Sequence, residues 1–87
     1  MGGDGKRQAT LMALLELKDA VAQEDLKAAQ ECREKRLALA LNLFSADRKR
    51  HGALQQVWDV SGRWMRHVDH ADMVREALEH VIPLFQH

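Results

Sequence analysis

Hydrophobic and polar positions recur along most of the chain with the period of an α-helix. The first apolar stripe has the spacing i, i+3, i+4, i+7 and i+10, and consists of Leu11, Leu14, Leu15, Lys18 and Val21. Positions at this spacing share one face of a helix, with the lysine at the margin and Leu17 off the stripe. The pattern predicts a first helix that begins near Lys6.

The apolar pattern lapses at residues 23–25, which separates the first helix from a second. Asp25 is a suitable N-cap, because its carboxylate can accept a hydrogen bond from a backbone N–H in the first turn. No Gly or Pro enforces a break here, so a single helix from Lys6 to Phe44 remains the alternative to a helical hairpin. The second helix has one apolar face, formed by Leu26, Ala29, Arg33, Leu37, Ala40, Leu41 and Phe44.

Residues 37–44 alternate in a way that also fits a strand. Alanine is a strong helix former and a poor strand former, and the flanking sequence is helical, so we expect a helix here. Leu39 and Leu43 then point away from the apolar face, and this half of the helix is apolar on most sides. Such a helix is usually central in a bundle or buried at an interface.

A polar run at residues 45–52 separates the second helix from a third that begins near Asp47 or Gly52. The stripe of the third helix consists of Leu54, Val57, Trp58, Ser61, Met65 and Val68, with Trp64 beside it. We assign Trp58, Met65 and Leu41 to the core. Gly62 lies in this stripe, where it costs about 1 kcal/mol relative to Ala or admits a close contact with another helix.

Asp69 is the predicted N-cap of a fourth helix, and Asp72 lies near the positive end of that helix. The apolar stripe of the fourth helix consists of Val74, Ala77, Leu78, Val81 and Ile82. Pro83 ends the helix because it lacks a backbone N–H. The chain is therefore predicted to be an all-α protein, a small bundle of three to four antiparallel helices. Residues 1–5 are predicted to be a disordered N-terminal tail, and residues 6–87 a single helical interaction domain.

The composition agrees with a small helical protein. The chain has 87 residues, its apolar residues are mainly Leu and Ala, and it has one Ile and no Tyr. The lone Cys32 cannot close an intrachain disulfide, and no signal-peptide pattern is present, which predicts an intracellular location, cytoplasmic or nuclear. The longest apolar stretch, residues 37–44, is much shorter than the roughly 20 residues that cross a bilayer, so no membrane role is expected.

Charge is balanced overall but unevenly distributed. The net charge is zero, yet residues 33–66 carry eight Lys and Arg against three Asp and Glu, while both ends of the chain are acidic. The run of Arg48, Lys49 and Arg50 resembles a phosphate-contacting cluster, so a small nucleic-acid-binding domain using segment 33–66 is the alternative function. The zero net charge argues against it, because such domains are usually basic overall.

The histidines and possible nucleophiles give little support for metal binding or catalysis. His67 and His70 can share a helix face, but a zinc site needs further ligands, and the spacing matches no closed structural-zinc pattern. No nucleotide-binding loop or acidic calcium loop is present. The possible nucleophiles lie in no recognisable motif; they are Cys32, Ser45 and Ser61. We expect no enzymatic activity, no metal site, no cofactor and no small-molecule substrate.

A surplus of apolar side chains remains once the helical stripes are assigned. Four of them do not fit the face that their own helix would bury: Leu39, Leu43, Trp64 and Phe85. We therefore predict a non-catalytic protein–protein interaction module (adaptor, regulator or oligomerisation domain) that binds a partner helix or itself through an apolar face. Positive charge would set the orientation of the partner. The predicted partner-binding residues are Leu39, Leu43, Trp64, Phe85, Arg48, Lys49 and Arg50.

Overall fold

The computed structural model describes residues 2–86 and shows an all-α bundle, which confirms the predicted fold class. The α-helices are α1 (Gly2–Ala22), α2 (Leu26–Cys32), α3 (Ala38–Leu43), α4 (Arg48–Arg66) and α5 (Ala71–Val81). A π turn, Arg33–Leu37, joins α2 and α3 into one continuous helix, so four helical segments follow one another. A 3-10 turn, Val68–His70, leads into α5, and a second one, Ile82–Phe85, follows it.

Helix α1 begins at Gly2, which corrects the helix start predicted near Lys6. Gly2–Gly5, predicted to belong to a disordered tail, form its first turn, while Met1 lies outside the described residues. Two contacts of Arg7 lie at this end of α1. Arg7 Nη2 lies 2.8 Å from the Asp4 carboxylate, and Arg7 Nη1 donates a hydrogen bond of 2.6 Å to the Phe85 carbonyl oxygen. The carboxylate also lies near the positive helix end.

The predicted break at residues 23–25 is confirmed, which excludes one uninterrupted helix over residues 6–44. Glu24 has φ 53°, the left-handed conformation in which many helices end. The N–H of Asp25 donates to the Ala20 carbonyl over 2.8 Å, and the N–H of Glu24 donates to the Val21 carbonyl over 3.1 Å. The Asp25 carboxylate accepts from the Ala28 N–H at 3.0 Å and caps α2 as predicted.

The π turn explains how the helix over residues 26–43 keeps one face against the core. Its buried positions are Ala29, Cys32, Leu37 and Ala40. A step of five residues from Cys32 to Leu37 would rotate a regular α-helix off its buried face. The i→i+5 hydrogen bond from the Ala38 N–H to the Arg33 carbonyl accommodates the extra residue. No Gly or Pro marks this turn in the sequence.

Helices α4 and α5 form the most extensive helix contact of the bundle. The Asp47 carboxylate accepts from the Arg50 N–H at 3.2 Å, which confirms one of the two predicted starts of the third helix. All five predicted apolar positions of the last helix, Val74, Ala77, Leu78, Val81 and Ile82, are buried. Asp69 does not cap the last helix as predicted. The chain turns at His67, and Asp69 lies inside the 3-10 turn that leads into α5.

Two predicted stripes are rotated relative to the structure. In α1, Leu17 is buried, whereas Leu15 and Lys18 are exposed. This helix packs on α2, on α5 and on the last 3-10 turn, so several contacts together set its buried face. In α4 and the following turn, Val60 is buried and Val68 is 49% exposed. The predicted core residues Trp58, Met65 and Leu41 are only partly buried, packed against the core.

Candidate partner-binding groove

A shallow apolar groove lies between α1 and α3, and two of the predicted partner-binding residues line it. Its volume is about 150 Å³, and its lining residues are Ala9, Thr10, Arg36, Leu39, Ala40 and Leu43. We call this surface the α1/α3 groove. Leu39 is 55% exposed and Leu43 is 38% exposed. They are four residues apart in α3 and therefore lie one above the other on the same helix face.

The groove has a polar margin formed by an ion pair between two helical segments. Arg36 Nη1 lies 2.9 Å from Glu16 Oε2, and both side chains are about half exposed. Ion pairs with this degree of exposure contribute about 0–1 kcal/mol to stability. The pair therefore adds little to the fold, but it places the positive charge of Arg36 in the lining of the groove and the negative charge of Glu16 next to that arginine.

Trp64 does not lie on the surface, which corrects its assignment to partner binding. Its side chain is fully buried in the core. The buried positions of α4 are Leu54, Val57, Val60, Ser61 and Trp64, so the indole continues the buried face of its own helix. Its Nε1 atom has no hydrogen-bond partner among residues 2–86. The stripe that the sequence predicts is centred on Trp58 and Met65, with Trp64 beside it.

Phe85 is also fully buried, which corrects its assignment to partner binding. The 3-10 turn that contains Pro83 folds the end of the chain back against α1. The Phe85 ring packs edge-on against Phe44, with ring centroids 5.0 Å apart and an interplanar angle of 88°. Sequence periodicity gave no account of Phe85, because it lies after the proline that ends α5.

The basic run at the start of α4 is divided between the surface and the fold. Arg48 and Lys49 are exposed. Arg50 is partly buried, and its Nε donates a hydrogen bond of 2.9 Å to the Leu84 carbonyl oxygen. Its guanidinium lies 5.2 Å from the centroid of the Phe85 ring. Arg50 therefore anchors the C-terminal turn, and of the three predicted residues only Arg48 and Lys49 have exposed side chains.

Two of the three possible nucleophiles, Cys32 and Ser61, are used in structural contacts, whereas Ser45 is exposed. The Cys32 thiol is buried and donates to the Ala13 carbonyl oxygen, with Sγ and O 3.2 Å apart. Burial, aided by the charge of Glu16, raises the pKa of this thiol to about 11, so little reactive thiolate forms near neutral pH. The Ser61 hydroxyl is buried as well and donates to the Trp58 carbonyl oxygen at 3.1 Å.

The histidines form no group that could hold a metal ion within the described part of the chain. The His67 and His70 rings lie near each other, with centroids 5.6 Å apart. No group of three or more His, Cys, Asp or Glu side chains converges among residues 2–86. These two residues alone do not supply the ligands of a closed zinc site.

A second surface depression was not predicted from the sequence. Its volume is about 320 Å³, and its lining residues are Arg33, Trp58, Asp59, Gly62, Arg63 and Arg66. We call it the arginine depression. The sequence places Arg33 on an apolar face, and only the close helix contact that Gly62 admits, one of its two alternatives, points to this arrangement.

Comparisons with known proteins give no information on the function of the groove or the depression. No protein family, no characterised protein and no solved structure matches this chain. Within residues 2–86, no helix is both long and apolar enough to cross a membrane.

Proposed function

We propose that this chain is a non-catalytic helical interaction module that associates through the α1/α3 groove, with a second copy of itself as its first partner. The observation that carries the proposal is the exposure of Leu39 and Leu43 one helical turn apart on the wall of an apolar groove. Fully burying a leucine side chain is worth about 1.5–3 kcal/mol. The bundle leaves much of this free energy to be gained by association.

The spacing of the two leucines suits a helical partner. Amphipathic helices bind grooves through apolar side chains at i, i+3, i+4 and i+7, and Leu39 and Leu43 have the i, i+4 relationship. They can therefore act as anchors on a facing helix while the groove beside them receives side chains in return. The exposed leucines and the groove belong to one surface, as an interface related by a twofold axis requires.

Charge favours a second copy as the partner. The net charge of the chain is zero, so two copies do not repel each other overall. Arg36 and Glu16 place opposite charges beside the groove. Across a twofold axis, the positive charge of one copy can meet the negative charge of the other, which supports register and orientation. A small chain with a limited core also gains stability from association.

Nucleic-acid binding through segment 33–66 is the alternative function. The positions of the basic residues support it less than the groove supports self-association. Arg48 and Lys49 lie at the start of α4, whereas Arg63 and Arg66 lie near its end. The rise of about 1.5 Å per residue separates these groups by roughly 20 Å along the helix. Arg36 is paired with Glu16, and Arg50 is held by the C-terminal turn.

Light scattering over a concentration series tests the proposal. We expect the wild type to form dimers as its concentration rises, and Leu39→Glu/Leu43→Glu to remain monomeric with unchanged helical content by circular dichroism. The matched control is Leu15→Glu/Leu26→Glu, which changes two leucines of similar exposure outside the groove, 46% and 38%. Self-association through the groove is contradicted if the wild type is monomeric at every concentration. It is also contradicted if the control variant forms dimers as poorly as Leu39→Glu/Leu43→Glu does.

A further inference from the structure

Arg33 holds its guanidinium in a fixed position at the surface of α4. Nε donates a hydrogen bond of 2.9 Å to Ser61 Oγ, and Nη2 donates one of 3.0 Å to the Trp58 carbonyl oxygen. The guanidinium also lies 4.0 Å from the centroid of the Trp58 ring. These contacts fix the planar guanidinium before any ligand arrives, which lowers the entropy cost of binding.

Gly62 makes this position possible. A Cβ atom at this position would lie 2.9 Å from Arg33 Nη2 and 3.4 Å from Arg33 Cζ. The first distance is shorter than an ordinary van der Waals contact, so the guanidinium would have to shift to admit a side chain at this position. The π turn begins at Arg33, the residue that makes these contacts with α4. Turns of this kind occur frequently at functional sites.

The arginine depression carries an excess of positive charge. Three arginines and one aspartate line it. Arg33, Arg63 and Arg66 have no carboxylate within 4.0 Å in the described part of the chain, since the ion pairs there involve other arginines. The Asp59 carboxylate accepts a hydrogen bond from Gln55 Nε2 at 3.2 Å. Burial lowers the pKa of Arg33, and the charge of Arg66 lowers it further, while Glu34 and Asp59 act in the opposite direction.

We propose that the arginine depression binds the carboxylates of an acidic segment of a partner protein. Guanidinium groups bind carboxylates through paired hydrogen bonds, and one preorganised arginine beside two exposed ones presents several donors to such a segment. The depression is open, so it suits side chains projecting from a larger molecule better than an enclosed small ligand. It shares no lining residue with the α1/α3 groove, so the proposal does not depend on self-association.

Fluorescence anisotropy with a labelled oligoglutamate peptide tests this site in the full chain. We expect binding at low ionic strength that weakens as salt is added. Arg63→Gln/Arg66→Gln should weaken binding about tenfold, because two exposed charge pairs are lost. The matched control is Arg48→Gln/Lys49→Gln, which removes the same charge from the other end of α4 and should leave the affinity nearly unchanged.

Three outcomes overturn the proposal. Absence of peptide binding at low ionic strength removes the site. An equal loss of affinity in the control variant shows that overall charge, and not the depression, attracts the peptide. An oligothymidylate that binds more tightly than the peptide, and that loses its affinity with Arg63→Gln/Arg66→Gln, shows that the depression binds a nucleic-acid backbone instead.

Discussion

The Nε atom of Arg33 donates a hydrogen bond of 2.9 Å to the Ser61 hydroxyl, and this contact ties the π turn to the middle of α4. The same hydroxyl donates to the Trp58 carbonyl oxygen at 3.1 Å, so arginine, serine and backbone form one connected network. Hydrogen bonds to a charged group contribute about 1.5–3 kcal/mol. The network therefore has a structural role in addition to any ligand that the arginine depression binds.

The two glycines of α4 should respond differently to alanine. Gly52 has open space around it, with nothing within 4 Å of a Cβ, whereas a Cβ at Gly62 meets the Arg33 guanidinium. We expect Gly52→Ala to raise the free energy of unfolding by about 1 kcal/mol through helix propensity. Gly62→Ala should bring no such gain, because displacement of Arg33 offsets it. Urea unfolding measures both.

The Arg33→Met background shows whether the guanidinium is the cause. In that background, Gly62→Ala no longer displaces a hydrogen-bonded group, so we expect it to stabilise the chain by about 1 kcal/mol, like Gly52→Ala. If Gly62→Ala stabilises the wild type as much as Gly52→Ala does, Arg33 is not held where the structure places it.

Replacing Glu24 with glycine should stabilise the turn between α1 and α2. Glu24 has φ 53°, a conformation that costs a residue with a side chain roughly 1 kcal/mol and that glycine adopts freely. We expect Glu24→Gly to raise the free energy of unfolding by about 0.5–1 kcal/mol, measured by urea unfolding. Gln23→Gly is the control and should destabilise, because Gln23 does not have positive φ. A loss of stability in Glu24→Gly would contradict the turn conformation.

The sequence predicted well the helix whose buried face depends mainly on one neighbouring helix. The stripe of α5 is buried at every predicted position, because this helix packs mainly on α4. The capping residues Asp25 and Asp47 also have the predicted roles, since a cap depends on local geometry. In α1, by contrast, leucines lie both on the buried face and beside it. The choice between Leu15 and Leu17 depends on tertiary contacts that periodicity does not contain.

The candidate sites were predicted only in part for a related reason. Leu39 and Leu43 were identified because they lie opposite the apolar face of their helix. Trp64 was misassigned because the stripe of α4 was rotated by one position, and Phe85 because the turn after Pro83 has no helical period. The arginine depression depends on the π turn, and nothing in the local sequence marks an i→i+5 hydrogen bond.

Replacing a side chain by alanine should lower the free energy of unfolding much more at the buried Phe85 than at the exposed Leu39. Phe85 is fully buried and packs on Phe44, so Phe85→Ala should lower the free energy of unfolding by about 3–5 kcal/mol. Leu39→Ala, at a side chain that is 55% exposed, should change the stability of the monomer by less than about 1 kcal/mol. Thermal unfolding at low protein concentration measures both, and Phe85→Leu serves if Phe85→Ala does not fold. Similar losses at Phe85 and Leu39 would contradict the assignment of Phe85 to the core.

The buried thiol of Cys32 should make stability depend on alkaline pH. Burial raises its pKa from 9.0 to about 11, so the folded state binds the thiol proton more tightly than the unfolded state does. The resulting stabilisation is present below pH 9.0 and is lost as the pH rises toward about 11. Cys32→Ala removes this titration and keeps every other ionisable group, so it is the matched control. We expect the wild type to lose stability relative to Cys32→Ala across this pH range in urea unfolding. A constant difference between the two proteins would show that the thiol titrates alike in both states.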